Sequence, residues 1–294
     1  MEKTLFAAIV GRPNTGKSTL LNAILGQKVA IVSPKPQTTR TRITGILTKE
    51  DTQFVFLDTP GIHKPQDKLG SYMVREANGA IGDVDAVLLV VESGNRVGEV
   101  EKAIIKKVDE DVPLILVINK TDVSNAAQIA ETIVRFSAER EFAAVVPISA
   151  KNNEGTEHII AELGAFAQES PWFFPDDIVT DQPERAIAAE IVREKMLRLL
   201  AEEIPHGVAV VIESFEESSK LIKIRAELFC EKESHKPIII GKRGDMLKKI
   251  GSMAREDMEK LFGVKVFLDL WVKVKENWRE SAKTVGNFGY HDEE

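Results

Sequence analysis

An eight-residue stretch near the start of the chain, from Gly11 to Ser18, has the spacing of a phosphate-binding loop. It reads G-R-P-N-T-G-K-S, and it lies between a short apolar run and a segment typical of a helix start. In such a loop backbone N–H groups bind anionic oxygens, a lysine reaches the β- and γ-phosphates and a serine hydroxyl binds Mg²⁺. The predicted nucleotide contacts of this stretch are Gly11, Asn14, Thr15, Gly16, Lys17, Ser18 and Thr19.

Three further motifs, each at the end of an apolar strand, indicate which nucleotide is bound. They are Asp58-Thr59-Pro60-Gly61, Asn119-Lys120-Thr121-Asp122 and Ser149-Ala150-Lys151. The carboxylate of Asp122 can accept two hydrogen bonds from N1–H and the 2-amino group of guanine, a donor pair that adenine lacks. The expected contacts are Asp58, Gly61, Asn119, Lys120, Asp122, Ser149, Ala150 and Lys151. We therefore predict GTP and GDP as ligands and Mg²⁺ as cofactor, with Asp58 holding the metal through water and the N–H of Gly61 near the γ-phosphate.

These motifs resemble those of the translation-factor-type GTPases over about residues 4–168. The variants P-N-x-G-K-S and D-T-P-G, and the sequence Gln37-Thr38-Thr39-Arg40, are similar to the Era-like branch of that family. The resemblance implies hydrolysis of GTP to GDP and phosphate, with Lys17, Thr39 and Gly61 in catalytic roles. It also implies that a threonine contacts Mg²⁺ beside Ser18 and Asp58; we expect Thr39, with Thr38 as the alternative.

Length and composition are those of an ordinary globular protein of two domains. The chain has 294 residues, a formal net charge of −7 and one cysteine, so it cannot form an internal disulfide. Cys230 is in phase with apolar neighbours and is predicted to be a buried core thiol rather than a reactive one. Metal-ligand spacing of histidines, a secretory signal and an apolar run of transmembrane length are not found in the sequence.

Strands and amphipathic stretches alternate from residue 5 to about 150, which predicts a mostly parallel sheet with helices on both faces. We predict an α/β GTPase domain of the Ras-like P-loop type over residues 1–169, with its last helix at about 156–168. A proline-interrupted linker should cover 170–180, and a smaller α+β domain should cover 181–294 with a C-terminal helix. The sequence Asp181-Gln182-Pro183-Glu184 predicts a capping-box-like start of its first helix.

A basic glycine loop, Gly241-Lys242-Arg243-Gly244, is the main feature of the second domain. It follows an isoleucine triplet and precedes a predicted helix, and residues 236–249 carry a local net charge of about +4 (5 basic minus 1 acidic). Such a loop lets a sugar–phosphate backbone approach, and the adjoining Ile-rich groove can hold bases. The alternative is a solvated basic turn, and Lys248 and Lys249 could equally form a solvated helix face. The predicted RNA contacts are Ile240, Gly241, Lys242, Arg243, Gly244, Lys248 and Lys249.

The predicted order α-β-β-α-α-β is similar to that of the prokaryotic-type (type II) K-homology domain. A P-loop GTPase joined to such a domain resembles the ribosome-assembly GTPases of the Era-like branch over essentially the whole chain. The resemblance implies binding near the 3′ end of 16S ribosomal RNA during 30S maturation, a monomeric cytoplasmic protein, and peripheral association with the inner face of the cell membrane. The alternative is a signalling switch whose second domain docks a protein or a membrane without RNA.

The residue after Gly61 is Ile62, an aliphatic residue that cannot orient a water as the glutamine of Ras-type enzymes does. We therefore expect slow intrinsic hydrolysis. Asn14 resembles the asparagine with which related GTPases hold K⁺; the alternative is that it only shapes the loop. Arg40, Arg42 and His63 are either solvated loop residues or catalytic ones.

Overall fold

The computed structural model describes residues 1–291, and the chain forms two compact units. The first unit comprises Met1–Pro65 and Met73–Asp181, and the second comprises Gln66–Tyr72 and the residues from Gln182 onward. Up to residue 181 the elements are β1 Lys3–Val10, α1 Lys17–Leu25, β2 Ile43–Lys49, β3 Thr52–Asp58, α2 Lys68–Gly79, β4 Ala86–Glu92, α3 Glu99–Lys107, β5 Leu114–Asn119, α4 Ala126–Ser137, β6 Ala144–Pro147, α5 Thr156–Gly164 and β7 Gln168–Glu169.

The sheet of the first unit has the order β2-β3-β1-β4-β5-β6, and all neighbours are parallel except β2 and β3. Apolar residues of α1 and α5 pack on one face, and those of α3 and α4 pack on the other. Because both faces are covered, β1, β4 and β5 are continuous apolar runs rather than alternating ones. This confirms the predicted mostly parallel α/β fold.

The end of this unit differs from the sequence-based expectation. Helix α5 stops at Gly164 instead of continuing to about residue 168. The next residues turn back towards the core, and the backbone of Gln168 and Glu169 pairs antiparallel with the first residues of β1. Phe166 and Ala167 continue the apolar spacing of the helix because they pack against the same core, although they lie outside the helix.

The segment 170–180 runs along the first unit. Ser170 N–H donates to the carbonyl of Glu2 (3.1 Å), and Ile46 N–H donates to the carbonyl of Val179 (2.8 Å). The side chain of Gln53 binds both the carbonyl and the N–H of Phe174 (2.8 and 3.0 Å). These contacts extend the ordered surface of the first unit as far as Asp181.

The second unit contains α6 Glu184–Leu199, β8 Ala209–Glu217, β9 Leu221–Cys230, α7 Lys236–Ile240, α8 Asp245–Phe262, β10 Lys265–Val274 and α9 Ala282–Asn287. Its sheet has the order β10-β9-β8, with β8 antiparallel and β10 parallel to the central β9. Apolar residues of α6 and α8 cover one face of this sheet. The predicted α-β-β-α-α-β order is confirmed, and so is the buried position of Cys230, where burial raises the pKa of the thiol.

The predicted capping-box start of α6 is wrong. Pro183 occupies the N-cap position, and no side chain caps the helix there. A capping box needs a side-chain acceptor at the N-cap, which proline does not have. The first turn is instead closed by the backbone, since the Ala186 N–H donates to the carbonyl of Pro183 (2.8 Å).

Candidate nucleotide site and candidate RNA-binding loop

The loop between β1 and α1 forms a compact cradle at the carboxyl edge of the sheet. Gly16 precedes the helix with φ 94°, and a Cβ at this position would lie 2.2 Å from the Asn119 side chain, so only glycine fits. Lys17 is buried, and its Nζ donates to the carbonyls of Gly11 (3.2 Å) and Arg12 (2.8 Å). Burial lowers the pKa of Lys17 to about 8, although nearby Asp58 acts to raise it.

Three oxygen-bearing side chains converge beside this lysine. Ser18 Oγ donates to Asp58 Oδ2 (2.6 Å) and lies 2.7 Å from Thr39 Oγ1. Asp58 is fully buried, and its Oδ1 has no hydrogen-bond partner among the described residues. Burial raises the pKa of Asp58 to about 6, and Lys17 and the Ser18 hydroxyl partly oppose that rise. Thr38 turns its hydroxyl to the carbonyl of Lys35 instead (2.7 Å), so the geometry favours Thr39.

The motifs of the third and fourth predicted strands meet at the same edge. Asn119 is buried and donates from Nδ2 to the carbonyl of Thr15 (2.8 Å), while its Oδ1 accepts from Ala150 N–H (3.0 Å). Ser149 Oγ donates to Asp122 Oδ1 (2.9 Å). The structure thus brings the loop, N-K-T-D and S-A-K together. Lys120 lies beside them and pairs with Glu92, whereas Lys151 is exposed and Thr19 is half-buried.

The loop residues for which the sequence allowed two roles have distinct surroundings. Arg40 is 1% exposed, so its interpretation as a solvated loop charge is wrong, whereas Arg42 is exposed. His63 is half-buried, with Nδ1 2.8 Å from the carbonyl of Gly61. Asn14 is exposed, and its Nδ2 donates to the carbonyl of Pro34 (3.1 Å). Pro34 lies outside the phosphate-binding loop, so this bond matches neither of the two roles expected for Asn14, shaping the loop or holding K⁺.

Sequence reasoning missed one buried contact of the loop. The Arg12 guanidinium binds Glu101 of α3 through two hydrogen bonds, one from Nε and one from Nη2 to Oε2 (2.7 Å). Burial raises the pKa of Glu101, but the bonds from Arg12 and from Gly98 N–H (3.0 Å) outweigh it and hold the pKa below its ordinary value. The motif contains no signal for this partner because it is 89 residues away.

In the second unit the basic loop joins two helices at an open groove. Gly241 and Gly244 both have positive φ, 77° and 85°, and the side chains of Lys242 and Arg243 between them are exposed. Lys248 and Lys249 are exposed on the first turns of α8. A groove of about 390 Å³ adjoins the loop; it is lined by Gly244, Leu247, Lys248, Gly251, Ser252, Arg255, Leu268 and Leu270. The expected Ile-rich lining is therefore wrong: the apolar residues of the groove are leucines, and Ile239 is buried in the core.

Known protein families match both units of the chain. The family model described as 50S ribosome-binding GTPase matches residues 6–120, and the KH domain model matches residues 203–279. GTPase Era of Caldanaerobacter subterraneus subsp. tengcongensis is 51% identical over 288 residues, covering 97% of both chains. GTPase Era of Clostridium kluyveri is 48% identical over 292 residues, covering 99% of this chain and 100% of that one.

This chain belongs to the Era family of GTPases. Solved Era structures have the same fold over the whole length. Era in complex with MgGDPNP and nucleotides 1506–1542 of 16S ribosomal RNA has a TM-score of 0.94 at 38% identity, covering 99% of both chains. A variant of Aquifex aeolicus Era bound to GDP and aluminium fluoride has a TM-score of 0.93 at 38% identity, covering 98% of this chain and 99% of that one.

The Arg12–Glu101 pair leads to a prediction about the loop. Glu101→Gln removes the charge from a carboxylate that is 3% exposed, and the weakened pair should loosen the loop backbone that also holds Lys17. Because Arg12 is 41% exposed, solvent screens part of the effect, and we expect GDP affinity to fall about tenfold rather than by the full cost of a broken buried pair. Titration with fluorescent GDP measures this loss.

Glu99→Gln is the matched control, because Glu99 is exposed in the first turn of the same helix. Its affinity for GDP should equal that of the unmodified protein. Equal affinities for the two variants would show that the Arg12–Glu101 pair does not support nucleotide binding.

Proposed function

We propose that this chain is a GTP-hydrolysing switch that binds 16S ribosomal RNA near its 3′ end and assists maturation of the 30S subunit. The observation that carries the proposal is the presence, in one chain, of a guanine-nucleotide site and a basic glycine loop beside a groove. The full-length similarity to the Era complex that contains MgGDPNP and RNA supports both halves of this proposal. In this proposal residues 1–169 form the GTPase domain and 181–294 the K-homology domain, with 170–180 as a linker that lies along the first unit.

In the proposed site the nucleotide spans the edge of the sheet. Backbone N–H groups of the loop Gly11–Thr19 hold the phosphates, and the ammonium of Lys17 neutralises the bridging region. Asp122 accepts from the guanine edge, and the backbone of Ala150 supports the base. Asn119 connects the phosphate end and the base end of the site, because it is hydrogen-bonded to Thr15 and to Ala150.

The converging oxygens fit Mg²⁺. Asp58 Oδ1 is a buried acceptor without a partner among the described residues, which is the expected state of an oxygen whose partner is a metal or its water. Groups of three or more His, Cys, Asp or Glu side chains that could hold a metal are not found in residues 1–291. Hydroxyl, phosphate and water oxygens would complete the shell, as Mg²⁺ prefers. The ion would be held by Ser18 and Thr39 directly and by Asp58 through water, and it would stabilise charge on the phosphates.

Catalysis in this proposal consists of positioning and charge stabilisation. Lys17 remains protonated when phosphates replace the carbonyls that now accept its hydrogen bonds. Gly61 N–H would donate to the γ-phosphate, and Thr39 Oγ1, 2.7 Å from Ser18 Oγ, would help to hold the metal. Ile62 is half-buried against the apolar core and offers no polar group to a water, so intrinsic hydrolysis should be slow.

Three further properties of the family remain predictions for this chain. These are a monomeric state, a cytoplasmic location and peripheral association with the inner face of the cell membrane. In the described part of the chain, no helix combines the length and the apolar character needed to cross a membrane. The groove beside the loop favours RNA over the alternative of a protein- or membrane-docking switch, because it joins exposed cations to an apolar floor of a size that suits bases.

Base selection can be tested at Asp122. Asp122→Asn replaces an acceptor with a donor opposite the 2-amino group of guanine, so GTP affinity should fall at least about 100-fold and xanthosine triphosphate should bind. Competition titrations with the two nucleotides measure the exchange. Asp111→Asn, an exposed control, should keep the preference for GTP. Equal affinities of the unmodified protein for ATP and GTP would contradict the proposed base contact.

RNA binding can be tested at Gly244. Gly244→Asp adds a negative charge and backbone strain at the position where phosphate approaches, so RNA affinity should fall tenfold or more while GTP hydrolysis without RNA stays unchanged. Gly263→Asp is the matched control, because Gly263 has a similar φ of 70° at the other end of α8. Filter binding of RNA to the two variants separates loss of charge complementarity from strain. If Gly244→Asp binds RNA normally, the loop has only a structural role.

The K⁺ hypothesis concerns Asn14. Its Nδ2 donates to the carbonyl of Pro34, and its Oδ1 is the acceptor that would bind a cation beside the phosphates. If it does, hydrolysis should be faster in KCl than in NaCl at equal ionic strength, and Asn14→Ala should abolish the difference without loss of GDP affinity. Equal rates in the two salts would leave Asn14 as a contact to the Pro34 segment.

A further inference from the structure

The face of the second-unit sheet opposite the helices carries two exposed aromatic side chains. Phe267 and Trp271 of β10 are 60% and 56% exposed. Leu268 and Leu270 point to the other face, where they line the groove, because side chains alternate along a strand. In the parallel register, Phe267 is opposite Lys223 and Trp271 is opposite Glu227 of β9. The aromatic rings therefore lie on what we call the outer face, the surface formed by residues 265, 267, 269, 271 and 273 with 221, 223, 225, 227 and 229.

The indole of Trp271 is held in place rather than loosely exposed. Its Nε1 donates to Asp269 Oδ2 (2.9 Å), and that same oxygen lies 3.4 Å from Arg225 Nε. The polar edge of the ring is thus satisfied within the sheet while more than half of the residue faces solvent. A fixed, exposed ring is a suitable stacking surface, because little conformational entropy is lost when a partner binds.

The outer face carries an excess of cations on β9 and β10 that is offset by acidic residues of the next strand. On β9 and β10 it carries four basic residues and two acidic ones, a net charge of +2 (4 minus 2) in a chain whose total is −7. The basic residues are Lys223, Arg225, Lys265 and Lys273. On β8, the next strand of the sheet, Glu213 Oε2 lies 3.9 Å from Arg225 Nη1, and Glu216 is opposite Lys223. Aromatic rings flanked by cations are the pattern with which sheets bind single-stranded nucleic acid.

The outer face is continuous with the candidate RNA groove. β10 is the edge strand of the sheet, so the groove and the outer face are separated only by the thickness of one strand. A loop of the G-x-x-G type clamps about four nucleotides. The RNA in the similar Era complex, nucleotides 1506–1542, is much longer than that. An RNA strand that fills the groove therefore has nucleotides to place beyond it, next to Trp271.

We propose that single-stranded RNA leaving the groove crosses the edge of β10 and stacks bases on Trp271 and Phe267. The proposal rests on the proposed RNA-binding function and extends its footprint. Lys223 and Lys265, on either side of Phe267, supply attraction for the backbone, and the two rings supply stacking that tolerates any base. RNA would then contact both faces of the sheet, which gives the protein a longer grip than the glycine loop alone.

The test compares a long and a short RNA with the full-length protein. The long probe is the RNA of nucleotides 1506–1542, and the short probes are nested fragments of it, down to the shortest that still binds in a Gly244-dependent manner. Trp271→Ala and Phe267→Ala should each weaken binding of the long probe about 5- to 150-fold, the range for loss of one stacked base. Neither substitution should change the affinity for the shortest fragment. Trp271→Phe, which keeps a ring, should restore most of the affinity.

Phe173→Ala is the matched control, because Phe173 is 62% exposed but belongs to the first unit. It should bind both probes normally. The log–log salt dependence should be unchanged in Trp271→Ala and shallower in Lys223→Gln, since only the lysine contacts phosphate. Circular dichroism verifies that each variant is folded, which the exposure of the replaced rings leads us to expect.

Tryptophan fluorescence gives an independent readout. The chain has three tryptophans, and Trp278 is fully buried, whereas Trp271 is exposed. The long probe should quench the emission of the unmodified protein, and that quenching should be absent in Trp271→Phe. Quenching by the shortest fragment should be small.

Three results would overturn the proposal. Normal binding of the long probe by the double variant Phe267→Ala with Trp271→Ala, which lacks both rings, would exclude stacking on this face. Normal RNA binding but weaker association of that variant with 30S subunits would assign the face to a protein partner. Normal binding of the long probe by Gly244→Asp as well would contradict the proposed RNA function itself, a different outcome from failure of the aromatic face alone.

Discussion

The ammonium of Lys17 and the carboxylate of Asp58 lie in one buried place, away from water, and the first unit is arranged around this pair. Burial disfavours both charges, which is why the pKa of the lysine falls to about 8 and that of the acid rises to about 6. Carbonyls of the loop and the Ser18 hydroxyl compensate only in part. A phosphate chain with a divalent cation carries the complementary charges, so the protein side of the site is built for a ligand that supplies both.

Sheet register places that pair. β1 and β3 are parallel neighbours with Ile9 opposite Asp58, so the end of β3 lies beside the start of the loop that follows Val10. Buried Asn119 then joins the ends of β5, the loop and the segment after β6 through bonds to Thr15 and Ala150. The phosphate end and the base end of the site are therefore coupled, because both are hydrogen-bonded to the side-chain amide of Asn119.

The two units use a glycine-bared helix start in different ways. Gly16 and Gly244 each precede a helix, and both glycines have left-handed backbone angles. Lys17 is enclosed, which suits a compact polyphosphate, whereas Lys242 and Arg243 are exposed beside an open groove. An open, cationic approach suits a polymer whose backbone continues past the loop in both directions. Because β10 is the edge strand, the same polymer could continue from the groove onto the outer face of the sheet in the proposed RNA path.

The sequence by itself determined the elements whose information is local. The four nucleotide motifs fall at ends of strands. The alternating pattern of β10 indicates a strand with one covered face, and the continuous apolar run of β5 indicates a strand with both faces covered. Glycine spacing located both loops for the same reason: the backbone conformation depends on a few adjacent residues.

Only the tertiary structure decided which distant groups meet. It places Thr39 beside Ser18, buries Arg40, and pairs Arg12 with Glu101 across 89 positions of the chain. It also ended α5 early and paired β7 with β1. A side chain's type and spacing state what it can bind, but its partner is fixed by how helices and strands pack, and that packing depends on the burial of the whole core.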